Sequence, residues 1–400
     1  MPGPLDGIRV IDLTSMVSGP LTTMILADQG ADVIKVENPK GGDYTRAVST
    51  RRGGFSASFL NNNRNKRSIA LNLKDPRGIE ILKRLAAGAD VLVQNFRPGV
   101  VERMGLGEDA LRAAAPDIVY VSISGFGERG PYAAKPVYDP LVQALSGLTT
   151  IQAGSDSERP RLVRTILPDK LTGFAAAQAI TAALLARART GKGQHIRLSM
   201  LDSVVSFLWS SDMGSQTFVG EEWPQETAQS FLDLIYEADD GYISVAAQSD
   251  REWAGLCAAI ERPDLLDDPR FASPALRHKN IDERLSLTQA ALRGRGSAEW
   301  LARLEANDVP CAPVLRRREV IEHPQILAND ILLETEHPKA GRLRQARHAP
   351  RFSETPAEHR LGAPGLGEHT REVLLDAGLS EDEIEALAAD RVIHMAEAGA

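Results

Sequence analysis

Cysteine is nearly absent from this chain, and so is any excess of basic charge. Of 400 residues only Cys257 and Cys311 are cysteine. They form no CxxC pair, and no Cys/His group has zinc-ligand spacing. Both thiols are expected to be reduced and structural, as in a reducing compartment. The formal net charge is −8. That balance argues against nucleic acid, because a phosphate backbone is gripped by a basic surface. A small anionic ligand needs only a local basic pocket and stays open. The first residues carry no basic-then-apolar signal pattern, and no apolar run approaches the ~20 residues of a membrane helix. A soluble cytoplasmic protein, with no membrane partner, is the expectation.

Three ligand-binding loops are missing as well. The first strand runs into Thr14-Ser15-Met16-Val17-Ser18-Gly19-Pro20, which has no GxGxxG. Without those glycines the backbone cannot approach a pyrophosphate closely. Glu37 stands at the end of the second strand, where a ribose-binding acid would sit. It is expected instead to be a solvated strand end or half of an ion pair. There is no GxSxG and no GxxxxGK[ST]. Ser124-Gly125-Phe126-Gly127 follows a strand and by spacing reads as an ordinary turn. The eight histidines are scattered. None is assigned to a metal, and His195, inside a short apolar strand, is expected to be structural.

What is present is an ordinary globular composition, 43% hydrophobic and 25% charged. The length suits two domains. The first half alternates strands (Ile8 to Leu13, Asp32 to Glu37, Val91 to Val93, Ile118 to Val121) with helices (Leu21 to Gln29, Ile79 to Ala87). This pattern predicts an α/β fold with a parallel sheet covered on both faces. A long alanine-rich helix is expected from about Lys170 to Arg189, then a strand at His195 to Leu198 and a helix from about Leu201. The texture changes after Gly214. A large domain over 1–215, a small domain over 225–325 and a C-terminal segment over 330–400 are expected. That last stretch is rich in Pro, His and Arg and ends in an acidic helix from Asp382.

Several motifs together resemble one family. They are Pro4-Leu5-Asp6-Gly7-Ile8-Arg9-Val10, Gly30-Ala31-Asp32-Val33-Ile34-Lys35-Val36-Glu37, and Asn65 through Lys74. Asn95-Phe96-Arg97-Pro98-Gly99, Tyr138-Asp139-Pro140, Gly193-Gln194-His195-Ile196, Pro310 through Val314 and Leu366 through Thr370 continue the match. In register over nearly the whole chain, they resemble the class III CoA-transferases (CaiB/BaiF type). That family includes formyl-CoA transferase and carnitine CoA-transferase, with the alpha-methylacyl-CoA racemases as relatives. The resemblance implies a Rossmann-like large domain built from both chain ends and a smaller inserted α+β domain. It also implies an interlocked homodimer, a linkage that composition would never suggest.

The resemblance further implies a role for particular residues. The nucleophile matches Asp169, in Leu167-Pro168-Asp169-Lys170-Leu171-Thr172-Gly173. By position alone an Asp before a helix reads as an N-cap, and a helix N-terminus favours its ionised form. By resemblance, Lys74, Arg97 and Arg103 contact the phosphates or nucleotide of coenzyme A, in keeping with the preference of Arg and Lys for phosphate. Val17, Leu71, Asn95, Phe96 and Met104 line the adenine and pantetheine path, and Tyr138 sits near the thioester. Asn38 stands where some relatives place an arginine for the ribose phosphate, with Lys40 nearby. Val245-Ala246-Ala247-Gln248-Ser249-Asp250 occupies the position of a glycine-rich loop that shields the intermediate. It lacks the glycines, so Gln248 or the partner subunit is expected to take over. Coenzyme A enters as a substrate, and no permanently bound cofactor is implied.

The implied activity is CoA transfer from an acyl-CoA to a carboxylic acid. The racemases use a His before an Asp as a base. Here that position is Tyr138, and a phenol with a pKa near ~10 is a poor base at neutral pH. Transfer is therefore preferred to racemisation, and the intact Asp169 argues against a non-catalytic CoA-binding dimer. Arg46, Arg51 and Arg52 are grouped where the second carboxylate of an acceptor could be received.

Overall fold

The computed structural model describes residues 3–48, 50–220 and 234–396. Seven strands build its main sheet: β1 (Arg9–Leu13), β2 (Asp32–Glu37), β3 (Lys66–Leu71), β4 (Val91–Gln94), β5 (Val119–Ser124), β6 (His195–Ser199) and β7 (Ile393–His394). Their spatial order is β7-β3-β2-β1-β4-β5-β6. The first six pair in parallel, and β7 runs antiparallel on the edge of β3. This is the doubly wound order, with its reversal between β1 and β4.

The strands are apolar on both faces because both faces are covered. Ile11, Ile34, Ile69, Leu92 and Tyr120 point one way, toward Ile81, Leu82 and Leu85 of α2 (Pro76–Ala87) and toward Val373 and Leu374. Val10, Val33, Val91, Val93, Val119 and Val121 point the other way, toward α1 (Ser18–Asp28) and α4 (Leu167–Thr190). Two shorter elements complete the site region, α3 (Asp139–Leu145) and α5 (Met200–Trp209).

α4 corrects one expectation. It has 24 residues with a mean hydropathy of 1.3 in its most apolar window, enough by length and composition to cross a membrane. Its Ala176, Ala177, Ile180, Ala183 and Leu184 instead pack into the core beneath the sheet. That face is built of small residues that let α1 approach, while Phe174 and Leu185 of the same helix are exposed.

The C-terminal stretch also holds more structure than its composition suggests. Leu332–His337 pairs antiparallel with Gly341–Ala346, and Gln345 Nε2 donates to the carbonyl of Leu60. Thr370 Oγ1 accepts from the Ala70 N–H and donates to the His394 carbonyl. This hydroxyl joins β3 to β7 from the side.

The chain divides into two compact units. One comprises Met1–Thr149, Arg161–Gly214 and Asp330–Ala400, the other Thr150–Pro160 and Ser215–Asn329. The second unit has a three-stranded antiparallel sheet, in the order Cys311–Pro313, Gly241–Val245, Ile235–Ala238. Trp253, Phe271, Leu285, Trp300 and Leu304 form its core. Both cysteines lie here and are free, Cys257 buried among these side chains. Burial pushes its thiol up to about 11, so it stays protonated and unreactive at neutral pH.

Candidate active site

The reversal between β1 and β4 leaves a crevice beyond the carboxyl ends of the strands. Two loops meet there. The Ser15 N–H donates to Asn95 Oδ1 at 3.0 Å, and Asn95 Nδ2 donates back to the Ser15 carbonyl at 2.8 Å. The loop after β1 is braced from below by buried charge. Asp12 accepts from the N–H and hydroxyl of Thr14, from Thr23 and from Lys66 Nζ. Lys35 Nζ donates to the Thr14 carbonyl at 2.8 Å and pairs with Asp43 at 3.0 Å. Asp43 in turn accepts from the N–H of Met16, which sits at φ 73°. A left-handed methionine is strained, and this network holds it. Burial opposes the Asp12 charge, but Lys66 and Lys35 bring its carboxyl down to about 2. Burial likewise lowers Lys66 to about 8 against the pull of Asp12.

Asp169 faces this braced loop. It is the third residue of α4 and not its N-cap, because the helix starts at Leu167, three residues earlier than expected, with Pro168 in the first turn. The N-cap position belongs to Ile166. Asp169 Oδ1 accepts from the Ser18 N–H, at 3.3 Å, at the N-terminus of α1. Asp139 takes the capping role across helices. Its Oδ2 accepts from the Asp169 N–H at 3.3 Å and its Oδ1 from Gln143 Nε2 at 2.6 Å. Burial, then the neighbouring Asp139 charge, raise the Asp169 carboxyl to about 6, with the Ser18 bonds opposing. The expected helix-terminus effect is thus outweighed, although the group remains mostly ionised at pH 7. Burial raises Asp139 too.

Gly173 makes this approach possible. A Cβ there would lie 2.9 Å from Leu21 Cδ2 and 3.0 Å from the Ser18 carbonyl oxygen. It lies one turn below Asp169 on the same face, so its missing side chain lets α1 and α4 close together.

A cavity of about 190 Å³ opens on Asp169. Asn95, Phe96, Arg97 and Tyr138 line it, as do Lys135 and Asp139. Ser124, Gly125 and Phe126 line it too, so the glycine stretch that reads as an ordinary turn forms part of its wall. A second cavity, of about 790 Å³, is lined by Asn38, Leu71, Lys74, Phe96, Arg103 and Met104 among others. That is ample for a nucleotide-sized ligand. Phe96 belongs to both.

Ten of the twelve expected site residues thus line these two cavities. Val17 lines neither; it is buried as the N-cap of α1. Gln248 belongs to the second unit, where its N–H donates to Glu252 in a helix-capping arrangement with Ser249. The arginine group does not hold together. Arg46 is spent on Glu37, at 2.6 and 2.8 Å, and lies over the Phe59 ring, while Arg52 bonds the Arg342 carbonyl. Glu37 is accordingly a buried ion-pair member. Sequence reasoning missed Ser18 and Lys135, and it quoted Asp139 without giving it a part. Only Asp139 carried a signal, its place between Tyr138 and Pro140.

The family model for CoA-transferase family III matches residues 5–370. The chain belongs to this family. It is 36% identical to the succinyl-CoA:glutarate CoA-transferase of Mus musculus, over 98% of this chain and 91% of that protein. It is also 36% identical to the acetyl-CoA:oxalate CoA-transferase of Acetobacter aceti, over 92% and 94%. A solved CaiB/BaiF family protein from Brucella suis superposes with a TM-score of 0.82 at 31% identity, covering 94% of this chain and 100% of that one. The class III CoA-transferase is thus an enzyme of the parallel-sheet architecture described above, with CoA thioesters as the substrates of its type.

Proposed function

We propose that this class III CoA-transferase moves coenzyme A from an acyl-CoA to a dicarboxylic acid, with Asp169 as the covalent carrier. The observation that carries the reading is a carboxylate in a small cavity joined through Phe96 to a nucleotide-sized one. The thioester of a CoA held by Lys74, Arg97 and Arg103 would reach Asp169 past that ring. Asn95, Leu71 and Met104 flank the path, with Tyr138 at its far end. The relatives named for glutarate and oxalate motivate a dicarboxylate acceptor. Lys135, a cationic side chain that lines the Asp169 cavity, would receive it.

The steps balance as follows. An Asp169 oxygen attacks the thioester carbonyl, the C–S bond breaks, and CoA thiolate leaves a mixed anhydride. The thiolate attacks the Asp169 carbonyl carbon, expelling the donor acid and leaving an aspartyl-CoA thioester. The acceptor carboxylate attacks that thioester and releases the thiolate again. The thiolate then attacks the acceptor's acyl carbon, giving the new acyl-CoA and free Asp169. Two of the four attacks fall on the Asp169 carbonyl and create an oxyanion there. The Ser18 N–H already faces Oδ1, at the positive end of α1, and supplies the fixed donor that such a charge requires. Water would hydrolyse the anhydride. The partner subunit is the proposed shield.

The enzyme is also proposed to act as an interlocked homodimer. Leu141, Leu145, Phe174, Leu185, Phe207 and Trp209, on α3, α4 and α5, are exposed, and such apolar surface calls for a partner.

The test is incubation with acyl-CoAs and dicarboxylates in heavy water, followed by mass spectrometry of protein and products. An adduct on Asp169 with CoA exchanged between acids supports the reading. Deuterium at the alpha carbon without adduct or exchange would make the enzyme a racemase and sink it.

A further inference from the structure

A line of side chains runs from the start of β6 across β5 to the carboxyl end of β4 and ends at the backbone of Phe96. Glu108 Oε2 lies 2.5 Å from His195 Nδ1, and His195 Nε2 lies 2.9 Å from Ser122 Oγ. Ser122 Oγ accepts from Gln94 Nε2 at 2.9 Å. Gln94 Oε1 accepts from the Phe96 N–H at 2.8 Å.

The chemistry of each group sets the direction. Gln94 Nε2 only donates, so the Ser122 hydroxyl turns its proton to His195 Nε2. His195 then keeps its own proton on Nδ1, facing Glu108. All bonds point the same way, and each polarises the next. Tyr120 packs edge-on against the His195 ring, 4.9 Å between centroids at 90°. Arg112 and Arg197 hold Glu108 from two other directions, at 2.9 and 3.2 Å. Gln94 and Ser122 are buried, 4% and 7% exposed.

A Glu–His–Ser order also suits nucleophile activation. Here, however, an amide N–H of Gln94 already occupies the serine oxygen, and the line continues to a backbone amide. That amide belongs to Asn95-Phe96-Arg97, the loop whose ring divides the two cavities. A third cavity, of about 560 Å³, is lined by Gln94, Ser122, His195 and Glu108 and shares the same Phe96.

We infer that His195 is a positioning residue for the CoA site. Through Ser122 and Gln94 it fixes the Asn95–Arg97 loop, and hence the Phe96 ring and the Arg97 guanidinium. The inference rests on the larger cavity being the coenzyme A site.

The test uses the full chain. His195→Phe keeps a ring against Tyr120 and removes both nitrogens. Gln94→Met removes both ends of the amide. Each should raise the calorimetric Kd for coenzyme A and the KM for acyl-CoA roughly five- to tenfold, as expected for one or two lost hydrogen bonds. The KM for the acceptor acid and kcat should stay within about twofold. The double variant should be no worse than the worse single one, because both cut the same line. Gln94→Glu, which keeps an oxygen for the Phe96 N–H, should recover most of the affinity. Unchanged CoA affinity in well-folded single variants, or additive losses in the double, would overturn the inference. If His195→Phe does not fold, Ser122→Ala cuts the line with a smaller change and decides the matter. A wild-type protein that binds coenzyme A but transfers nothing would defeat the transferase reading and leave the calorimetric test intact. A wild-type protein that does not bind it would defeat both.

Discussion

Asp169 is held in a state that favours reaction over stability. Its carboxyl is raised to about 6 by burial and by Asp139, above the ordinary value of 3.8. Folding therefore gains from a protonated Asp169, and that gain is lost as pH rises through about 6. At pH 7.5 the ionised group costs the fold roughly 3 kcal/mol. Asp169→Asn, a neutral isostere, should then melt a few degrees higher at pH 7.5 and show little difference at pH 4. The same variant should lose on the order of a thousandfold or more in kcat, with no CoA adduct by mass spectrometry. In the wild type, kcat/KM should fall about tenfold per pH unit below 6, as the nucleophile is protonated. Arg103 and Lys74 are exposed residues of the larger cavity. Arg103→Ala should raise the KM for acyl-CoA roughly tenfold or more and leave the acceptor KM alone, because a charge-assisted phosphate contact is lost.

At the scale of elements, the catalytic geometry depends on how closely two helices approach. Gly173→Ala would push a Cβ against Leu21 and the Ser18 carbonyl. The helices must part by a few tenths of an ångström, and Ser18 moves away from Asp169. The expected result is a drop in kcat on the order of tenfold with a stability loss of about 1–3 kcal/mol, read by steady-state kinetics and urea melts. This closeness explains what the sequence made legible and what it did not. Strands such as Val91–Gln94 are readable because burial on both faces leaves a nearly unbroken apolar record. Motifs such as Asn95-Phe96-Arg97 mark the ligand path. Ser18 carries no mark, because a lone serine between Val17 and Gly19 belongs to no motif and meets Asp169 only through the packing of two helices. Asp169 reads as a cap because the true cap, Asp139, comes from another helix 30 residues earlier. The hairpin Leu332–His337/Gly341–Ala346 hides in charged sequence because much of it faces solvent. Arg46 reads as a free cation because its partner, Glu37, lies in a strand end that looks solvated.

At the scale of the whole molecule, the proposed dimer has two separable signatures. Light scattering should give twice the 43.3 kDa chain mass, persisting on dilution. If the subunits are threaded through each other, differently tagged dimers mixed in native buffer should not exchange chains over days, and should do so only after denaturation. Rapid exchange would leave a dimer but remove the threading. The first unit also depends on a late arrival. β7, at Ile393–His394, closes the edge of a sheet whose other strands all lie before residue 200. Until those residues leave the ribosome, β3 presents an unpaired edge. At ordinary elongation rates the wait between β3 and β7 is roughly twenty seconds to a minute, during which a nascent chain carries an open template for strand pairing. Expression yield in a cell should therefore be governed by chaperone supply during synthesis more than by the stability of the finished fold.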